Sequence, residues 1–136
     1  MPAVMSTETD DLPIIQFVRP VPGFPEHFRY VLTRVADDGL LYVLRSLDDP
    51  SVRFLVIAPI PFFPDYAPEI DDDTLDLLDV HAADRLVVLL VVSAGTSAAE
   101  ATVNLLAPIV VDRVSRRAAQ VLLHEEFPLR APLVAV

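Results

Sequence analysis

Three apolar segments joined by very short turns constrain the fold of this chain more than any other feature. The segments run from Phe28 to Val35, from Leu40 to Leu47 and from Val52 to Ile60. The tetrapeptide ADDG separates the first two, and its Asp-Gly pair favours the positive φ angles of a tight hairpin turn. The tetrapeptide DDPS separates the last two. Connections this short join antiparallel neighbours, so the sequence predicts a three-stranded antiparallel meander.

Several other segments also have the pattern of strands. Residues 13–18 predict a short first strand, and residues 103–112 and 119–126 predict two later ones. The run from Leu86 to Val92 is apolar throughout, which predicts a strand that is covered on both faces. The tail, residues 127–136, contains two prolines and is expected to lie extended against the body.

The segment DDDTLDLLDV predicts one short helix. Asp72 or Asp73 is expected to cap its N-terminus, where carboxylates lie at the positive end of the helix dipole. Leu75 and Leu78, together with Leu77, are expected on the buried side.

Six or seven strands, one short helix and hairpin connections predict a mainly β protein. The expected fold is a small antiparallel β-barrel or a sandwich-like single domain with one short helix. Residues 1–11 are polar and acidic, so we expect a flexible N-terminal segment followed by a single domain over residues 12–136. With 136 residues, of which 53% are hydrophobic, the chain is long enough to bury a core.

The charge of the chain limits its partners. Its formal net charge is −10, which argues against direct binding to nucleic acid, because clustered positive charge supplies most of that affinity. The N-terminus has neither the basic start nor the apolar stretch of a signal peptide. The apolar run from Leu86 to Ala94 is far shorter than the roughly 20 residues needed to span a bilayer. We therefore expect a cytoplasmic protein that binds neither membrane nor nucleic acid.

No motif in the sequence indicates catalysis or a cofactor. There is no Cys, and three glycines form no phosphate-binding loop. His27, His81 and His124 lie far apart, so we interpret them as structural or surface residues and not as metal ligands. The segment DYAPEIDDD is compatible with calcium ligands, but it lacks the central Gly of a calcium loop. A helix N-terminus capped by acids is the better interpretation, and we predict a protein that is not an enzyme and has no cofactor.

A proline-rich loop concentrates aromatic residues. Phe62, Phe63 and Tyr66 lie within it, and Asp65 and the acids of residues 69–73 accompany them. Large apolar groups on a rigid loop, surrounded by charge, are typical of a protein-binding surface. The alternative is that the two phenylalanines plug one end of the barrel.

The segment VNLLAPIVVD contains two residues that a central strand disfavours. Asn104 places an amide among apolar neighbours, and Pro108 removes a backbone donor. Pro108 therefore predicts an edge strand or a bulge, and Asn104 predicts an amide that bonds a neighbouring backbone. Both roles are structural, and the alternative is a contribution to a partner surface.

Four segments, taken in order, resemble the FliW family of flagellar assembly factors. They are IIQFVRPVPGFPEHFRYVL, FLVIAPIPFFPDYAPEI, ATVNLLAPIVVD and FPLRAPL, and they extend from about residue 14 to residue 133. The chain departs from the family pattern at Pro20, Ala58 and Ala131, and residues 1–13 lack the family's first strand with its Phe-Gly pair.

The resemblance implies a cytoplasmic, non-enzymatic binding protein that is a monomer when free. Its implied partners are flagellin and the translational regulator CsrA, whose repression of flagellin translation it would relieve by partner switching. Two alternatives are a flagellin chaperone without CsrA control and an unrelated small ligand-binding β-barrel. The residues we expect at the partner surface are Phe62, Phe63, Asp65, Tyr66, Asp71, Asp72, Asp73, Asn104 and Pro108.

Overall fold

The computed structural model describes residues 14–21, 23–35, 41–80, 86–93 and 100–132. These residues form one short helix, α1 (Asp72–Leu78), and a sheet of nine strands. The strands are β1 (Ile15–Phe17), β2 (Arg29–Arg34), β3 (Leu41–Ser46), β4 (Arg53–Ile57), β5 (Leu86–Ser93), β6 (Thr102–Val103), β7 (Ile109–Asp112), β8 (Arg117–Gln120) and β9 (Ala131–Pro132).

Seven of the strands close into a barrel in the order β5-β4-β3-β2-β1-β8-β7, and β7 pairs with β5 again. The predicted meander is present as β2, β3 and β4, which pair antiparallel. The two remaining strands extend the sheet from the C-terminal end of β5. Strand β6 pairs with Val92 and Ser93 of β5, and β9 pairs with β6. The prediction of a mainly β fold with one short helix is confirmed, and the barrel is the alternative that the chain adopts.

One pairing in the barrel is parallel, which the hairpin pattern did not predict. Gln16 on β1 pairs with Arg117 on β8, and Phe17 pairs with Ala118. Turn sequences predict pairing only between strands that are adjacent along the chain. The seam between β1 and β8 joins strands that are far apart in sequence, so its direction follows from closure of the barrel.

The barrel interior is an apolar core built by the inward-facing side chains of the strands. Phe17 and Tyr30 lie in it with their rings edge to face, 5.0 Å apart. The buried members of this interior cluster are Ile15, Phe17, Val21, Tyr30, Leu32, Leu44, Val56, Leu89, Ile109, Val111 and Ala118.

Two further apolar clusters cover the outside of the barrel. Leu90 and Val92 on β5 belong to an outer cluster that includes Tyr66 and Leu105. Leu78 of α1 packs with residues of β7 and β8 in the other. The prediction that β5 is covered on both faces is therefore confirmed over most of its length.

The helix begins one residue earlier than expected. Asp71, and not Asp72 or Asp73, is the N-cap, because its extended backbone allows Oδ1 to accept bonds from the N–H and the hydroxyl of Thr74 at 3.0 and 2.7 Å. Leu78 is buried as predicted, whereas Leu75 and Leu77 are only half-buried.

Strand β8 ends at Gln120, although the sequence predicted a strand over residues 119–126. The N–H groups of Val121 and Leu123 bond the carbonyls of Pro108 and Leu106 instead of continuing a regular ladder. The described part of the tail, residues 127–132, does pack against the body, as expected, through β9. The predicted flexible segment 1–11, the ADDG turn and His81 lie outside the described residues.

Candidate functional site

The predicted strand over residues 103–112 is interrupted. Val92 and Leu89 on β5 pair with Val103 and Ile109, so two residues of β5 lie opposite the five residues 104–108. This segment, which we call the excursion (residues 104–108), leaves the sheet between β6 and β7. The prediction of one continuous strand is wrong, and of the two structural roles predicted for Pro108, the bulge is the correct one.

Asn104 holds the excursion in shape. Its Oδ1 accepts hydrogen bonds from the N–H groups of Leu106 and Ala107 at 3.0 and 2.9 Å. Its own N–H still donates to the carbonyl of Val91 on β5 at 3.0 Å. The side-chain oxygen therefore provides an acceptor for backbone N–H groups that no longer bond a neighbouring strand. The prediction that the Asn104 amide bonds a neighbouring backbone is confirmed.

The four carbonyls of residues 105–108 are each bonded by a different donor. In that order the donors are the Tyr66 hydroxyl, the Leu123 N–H, Nε2 of Gln120 and the Val121 N–H, at 2.7, 2.9, 3.0 and 2.9 Å. The ring of Pro108 is fully buried, and proline has no N–H to leave unpaired there. Because each of these carbonyls is hydrogen-bonded, the backbone of the excursion is held rigidly without the regular hydrogen bonds of a β-sheet.

The aromatic loop, which we define as Phe62–Tyr66, is a series of tight turns. The N–H groups of Phe62 and Phe63 both donate to the carbonyl of Pro59, at 3.0 and 2.6 Å. The N–H of Tyr66 donates to the carbonyl of Phe63 at 3.0 Å. The loop therefore presents its side chains from a fixed backbone.

The aromatic side chains pack outside the barrel. Tyr66 is 7% exposed and lies edge to face with Phe127, with the ring centroids 4.9 Å apart. Burial, and secondarily the charge of Glu125, raises the pKa of Tyr66 to about 12. Phe62 and Phe63 are half-buried against the same outer cluster, so the alternative that they plug the barrel is wrong.

Acidic side chains lie within this loop and at the start of α1. Asp65, Asp72 and Asp73 are exposed. Asp71 is also exposed, but it caps α1, and the donors on Thr74 hold the pKa of its carboxyl below the ordinary value. Among the residues that the structure describes, no three His, Asp or Glu side chains converge as a metal site would require.

The segment 124–127 joins the aromatic and acidic parts. Phe127 contacts Tyr66, and Oε1 of Glu125 accepts a 2.9 Å bond from the N–H of Glu69. Nε2 of His124 lies 3.6 Å from Oδ2 of Asp71. We call the whole the aromatic–acidic surface, and its members are Phe62, Phe63, Asp65, Tyr66, Asp71, Asp72, Asp73, His124, Glu125 and Phe127.

Six of the nine residues predicted at a partner surface line the two grooves that segment 124–127 joins, and Asp73 is exposed beside Asp72 in the first turn of α1. Asn104 is half-buried and lines a separate groove with Arg19 and Gln120, and the Pro108 side chain is buried. Sequence reasoning did not single out His124, Glu125 or Phe127 for this surface. No local pattern connects them to a loop some 60 residues earlier, since Glu69 and Glu125 are 56 positions apart.

The chain resembles proteins of known family along nearly all of its length. The family model described as FliW protein matches residues 2–133. The flagellar assembly factor FliW of Bacillus licheniformis is 32% identical over 88% of this chain and 83% of its own. That of Bacillus subtilis is 33% identical over 82% and 78%, respectively. A crystal structure of the flagellar assembly factor FliW superposes with a TM-score of 0.83 at 28% identity, covering 95% of this chain and 89% of the other. This chain, with its closed barrel and the excursion held against the aromatic loop, belongs to the FliW family.

Proposed function

We propose that this chain is a cytoplasmic flagellar assembly factor that binds flagellin and, by partner switching, binds CsrA and relieves its repression of flagellin translation. The relatives' name, flagellar assembly factor, supports the general role. The observation that carries the proposal is that half-exposed aromatic rings and an exposed acidic helix start share one rigid surface. Membership of the family removes the alternative of an unrelated ligand-binding barrel.

The aromatic part of the surface would supply binding energy. Phe62 and Phe63 are half-buried in the free chain and lie beside a groove of about 360 Å³ that Tyr66, Leu105 and Phe127 also line. Aromatic side chains held on a rigid backbone are favoured anchors, because little conformational freedom is lost when a partner covers them.

The acidic part would favour a basic partner. Asp72 and Asp73 stand in the first turn of α1, and the chain as a whole carries a net charge of −10. An RNA-binding protein such as CsrA carries the opposite field, and opposite fields raise association rates more than they raise final affinity. The surface therefore fits electrostatic recruitment of CsrA, followed by burial of the aromatic rings.

Partner switching requires that one complex weakens the other. This coupling arises when the two partners overlap on one surface or when they stabilise different states of the chain. The chain acts by binding alone in this proposal, as a monomer when free, without catalysis and without a cofactor.

Titration calorimetry would test the switch. Flagellin from the same organism is titrated into the chain alone and into the chain saturated with CsrA. We expect tight binding to the free chain and at least tenfold weaker apparent binding when CsrA is present. Equal flagellin affinities in both titrations would contradict partner switching and leave a chaperone without CsrA control.

A pair of charge variants would test the surface. Asp72→Asn combined with Asp73→Asn removes two charges but leaves the Asp71 cap in place, so α1 is expected to remain folded. We expect slower association with CsrA and a smaller dependence on salt. The matched control is Glu26→Gln combined with Asp48→Asn, two exposed acids outside this surface. Equal effects of the two pairs on association with CsrA would show that only the net charge of the chain matters. That result would contradict the proposal that CsrA approaches the start of α1.

A further inference from the structure

One end of the barrel contains an apolar cavity of about 150 Å³. Its walls are inward-facing side chains of four strands, and two arginines of the turn between β7 and β8 complete it. We call this site the barrel mouth, and its residues are Ile15, Leu32, Val87, Leu89, Val111, Arg113 and Arg116. An apolar cavity of this volume holds one group of about the size of benzene.

One lining residue of the cavity is exposed, and two residues next to lining residues in sequence are exposed as well. Val87 lines the cavity and is still 38% exposed. Ile14, which precedes the lining residue Ile15, is 44% exposed, and Val114, which follows Arg113, is 62% exposed. Because Val87 is exposed and also lines the cavity, the cavity is open to a side chain of a partner.

The turn that carries the two arginines is rigid. Buried Asp112 accepts a bond from the Val114 N–H at 3.2 Å and from the Ser115 hydroxyl at 2.8 Å. The N–H of Arg116 donates to the Asp112 carbonyl at 2.7 Å. The turn therefore holds the arginine backbones in fixed positions at the cavity.

Arg116 occupies a backbone conformation that does not favour arginine. Its φ is 65°, in the left-handed region that glycine or asparagine adopts with less strain. Strained backbone conformations cluster at functional sites, where the surrounding structure holds them in place. An arginine at this position, lining an apolar cavity, is consistent with a role for its charge.

The two guanidinium groups indicate the charge of the ligand. Within the described part of the chain, no carboxylate forms an ion pair with Arg113 or Arg116, although the protein carries a net charge of −10. Arg presents a planar group of donors that matches carboxylate oxygens. The barrel mouth thus combines a cavity for one apolar group with donors for nearby anions.

We infer that the barrel mouth binds an acidic peptide segment of a partner protein, which inserts one aliphatic or phenyl side chain into the cavity and places flanking carboxylates beside Arg113 and Arg116. This goes beyond the proposed function, because the aromatic–acidic surface suits a basic partner and the barrel mouth suits an acidic one.

Fluorescence anisotropy with a labelled, end-capped peptide of sequence Asp-Glu-Phe-Glu-Asp would test the inference on the full chain. We expect saturable binding that weakens about tenfold or more when the central Phe is Ala or when the four acids are replaced by Asn and Gln. Higher salt is also expected to weaken it. The absence of saturable binding to the wild-type chain would overturn the inference.

Three variants locate the binding site. Arg116→Gly relieves the left-handed strain, so we expect an equal or higher thermal midpoint together with about tenfold weaker peptide binding. Arg113→Glu is expected to weaken binding further, and Val87→Phe is expected to fill the cavity and abolish it. The control is Arg53→Glu, which reverses an exposed arginine on β4 and leaves affinity unchanged.

Two outcomes would contradict the inference even if the peptide binds. Affinity that is unaffected by Arg116→Gly and Arg113→Glu would place the peptide elsewhere. Sedimentation that shows concentration-dependent dimers, lost in Val87→Phe, would assign the barrel mouth to a second copy of this chain. The Asp72→Asn and Asp73→Asn pair should leave peptide affinity unchanged, which separates this test from that of CsrA binding.

Discussion

The hydroxyl of Tyr66 donates a 2.7 Å hydrogen bond to the backbone carbonyl of Leu105, 39 residues further along the chain. This bond connects the aromatic loop to the excursion that interrupts the sheet. Since Asn104 shapes the same excursion from within, the two unusual segments of the sequence form a single structural unit. The partner surface that we propose therefore depends on a distant interruption of the barrel wall.

Replacing Tyr66 by Phe tests this connection. The ring contact with Phe127 is retained, but the Leu105 carbonyl loses its donor, and leaving a buried acceptor unpaired costs about 1–3 kcal/mol. We expect the free energy of unfolding, measured by urea denaturation, to fall by about that amount. Tyr42→Phe is the control, because Tyr42 is half-buried against the interior cluster, which includes no residue of either segment. Equal losses in the two variants would contradict a specific role for the bond.

Asn104 provides a second test, based on the acceptor alone. In Asn104→Ala the N–H groups of Leu106 and Ala107 lose their shared acceptor, so we expect destabilisation by about 1–3 kcal/mol. Asn104→Asp keeps an oxygen in that position and is expected to retain most of the stability. Chemical denaturation of both variants measures the difference. If Ala and Asp proved equally damaging, the oxygen would not be the stabilising group.

Tyr30 is expected to respond in the opposite way. Its hydroxyl is buried, and it has no hydrogen-bond partner within the described residues. Tyr30→Phe removes an unpaired polar group and preserves the edge-to-face contact with Phe17, so the free energy of unfolding should stay equal or rise by about 1 kcal/mol. Thermal unfolding followed by circular dichroism measures this. A clear loss of stability would mean that the hydroxyl is satisfied in solution.

Asp71 should contribute to the stability of the chain in a pH-dependent manner. Bonds from the hydroxyl and the N–H of Thr74 lower the pKa of its carboxyl in the folded state. The stabilisation is therefore fully present above the pKa that this carboxyl has in the unfolded chain, about 3.9. It is lost as the pH falls through the lower pKa of the carboxyl in the folded chain.

Urea denaturation between pH 6 and pH 2 checks this expectation. Asp71→Asn keeps a capping oxygen but cannot titrate, so stability should fall less steeply with acid than in the wild-type chain. Asp72→Asn, one residue further on, removes a carboxylate that does not cap the helix and serves as the control. If the free energy of unfolding of Asp71→Asn fell with acid as steeply as that of the wild-type chain, the Asp71 carboxyl would not be the group responsible.

Local sequence patterns predicted the elements whose contacts are local. The meander followed from apolar segments and two short turns, and its strands differ from prediction by only one to three residues at each end. The helix was also predicted, but its cap was not, because capping depends on which of three consecutive aspartates has an extended backbone. The aromatic loop was recognisable because its residues are adjacent in sequence.

The remaining features depend on partners that are distant in sequence. The segment over residues 103–112 resembles one strand, and only the donors from Tyr66, Gln120 and residues 121–123 show why it leaves the sheet. Phe127 joins the candidate site for the same reason. The cavity at the barrel mouth requires side chains from four strands, so no single segment predicts it.

By itself the sequence determined the β-rich class, the meander, the short helix and the motifs that identify the family. These depend on hydrophobic periodicity, turn residues and capping groups, whose effects extend over only a few positions. The tertiary structure determined the closure of the barrel through the parallel pair of β1 and β8, the excursion and the surface around Tyr66. These depend on hydrogen bonds and packing between segments that only the folded chain brings into contact.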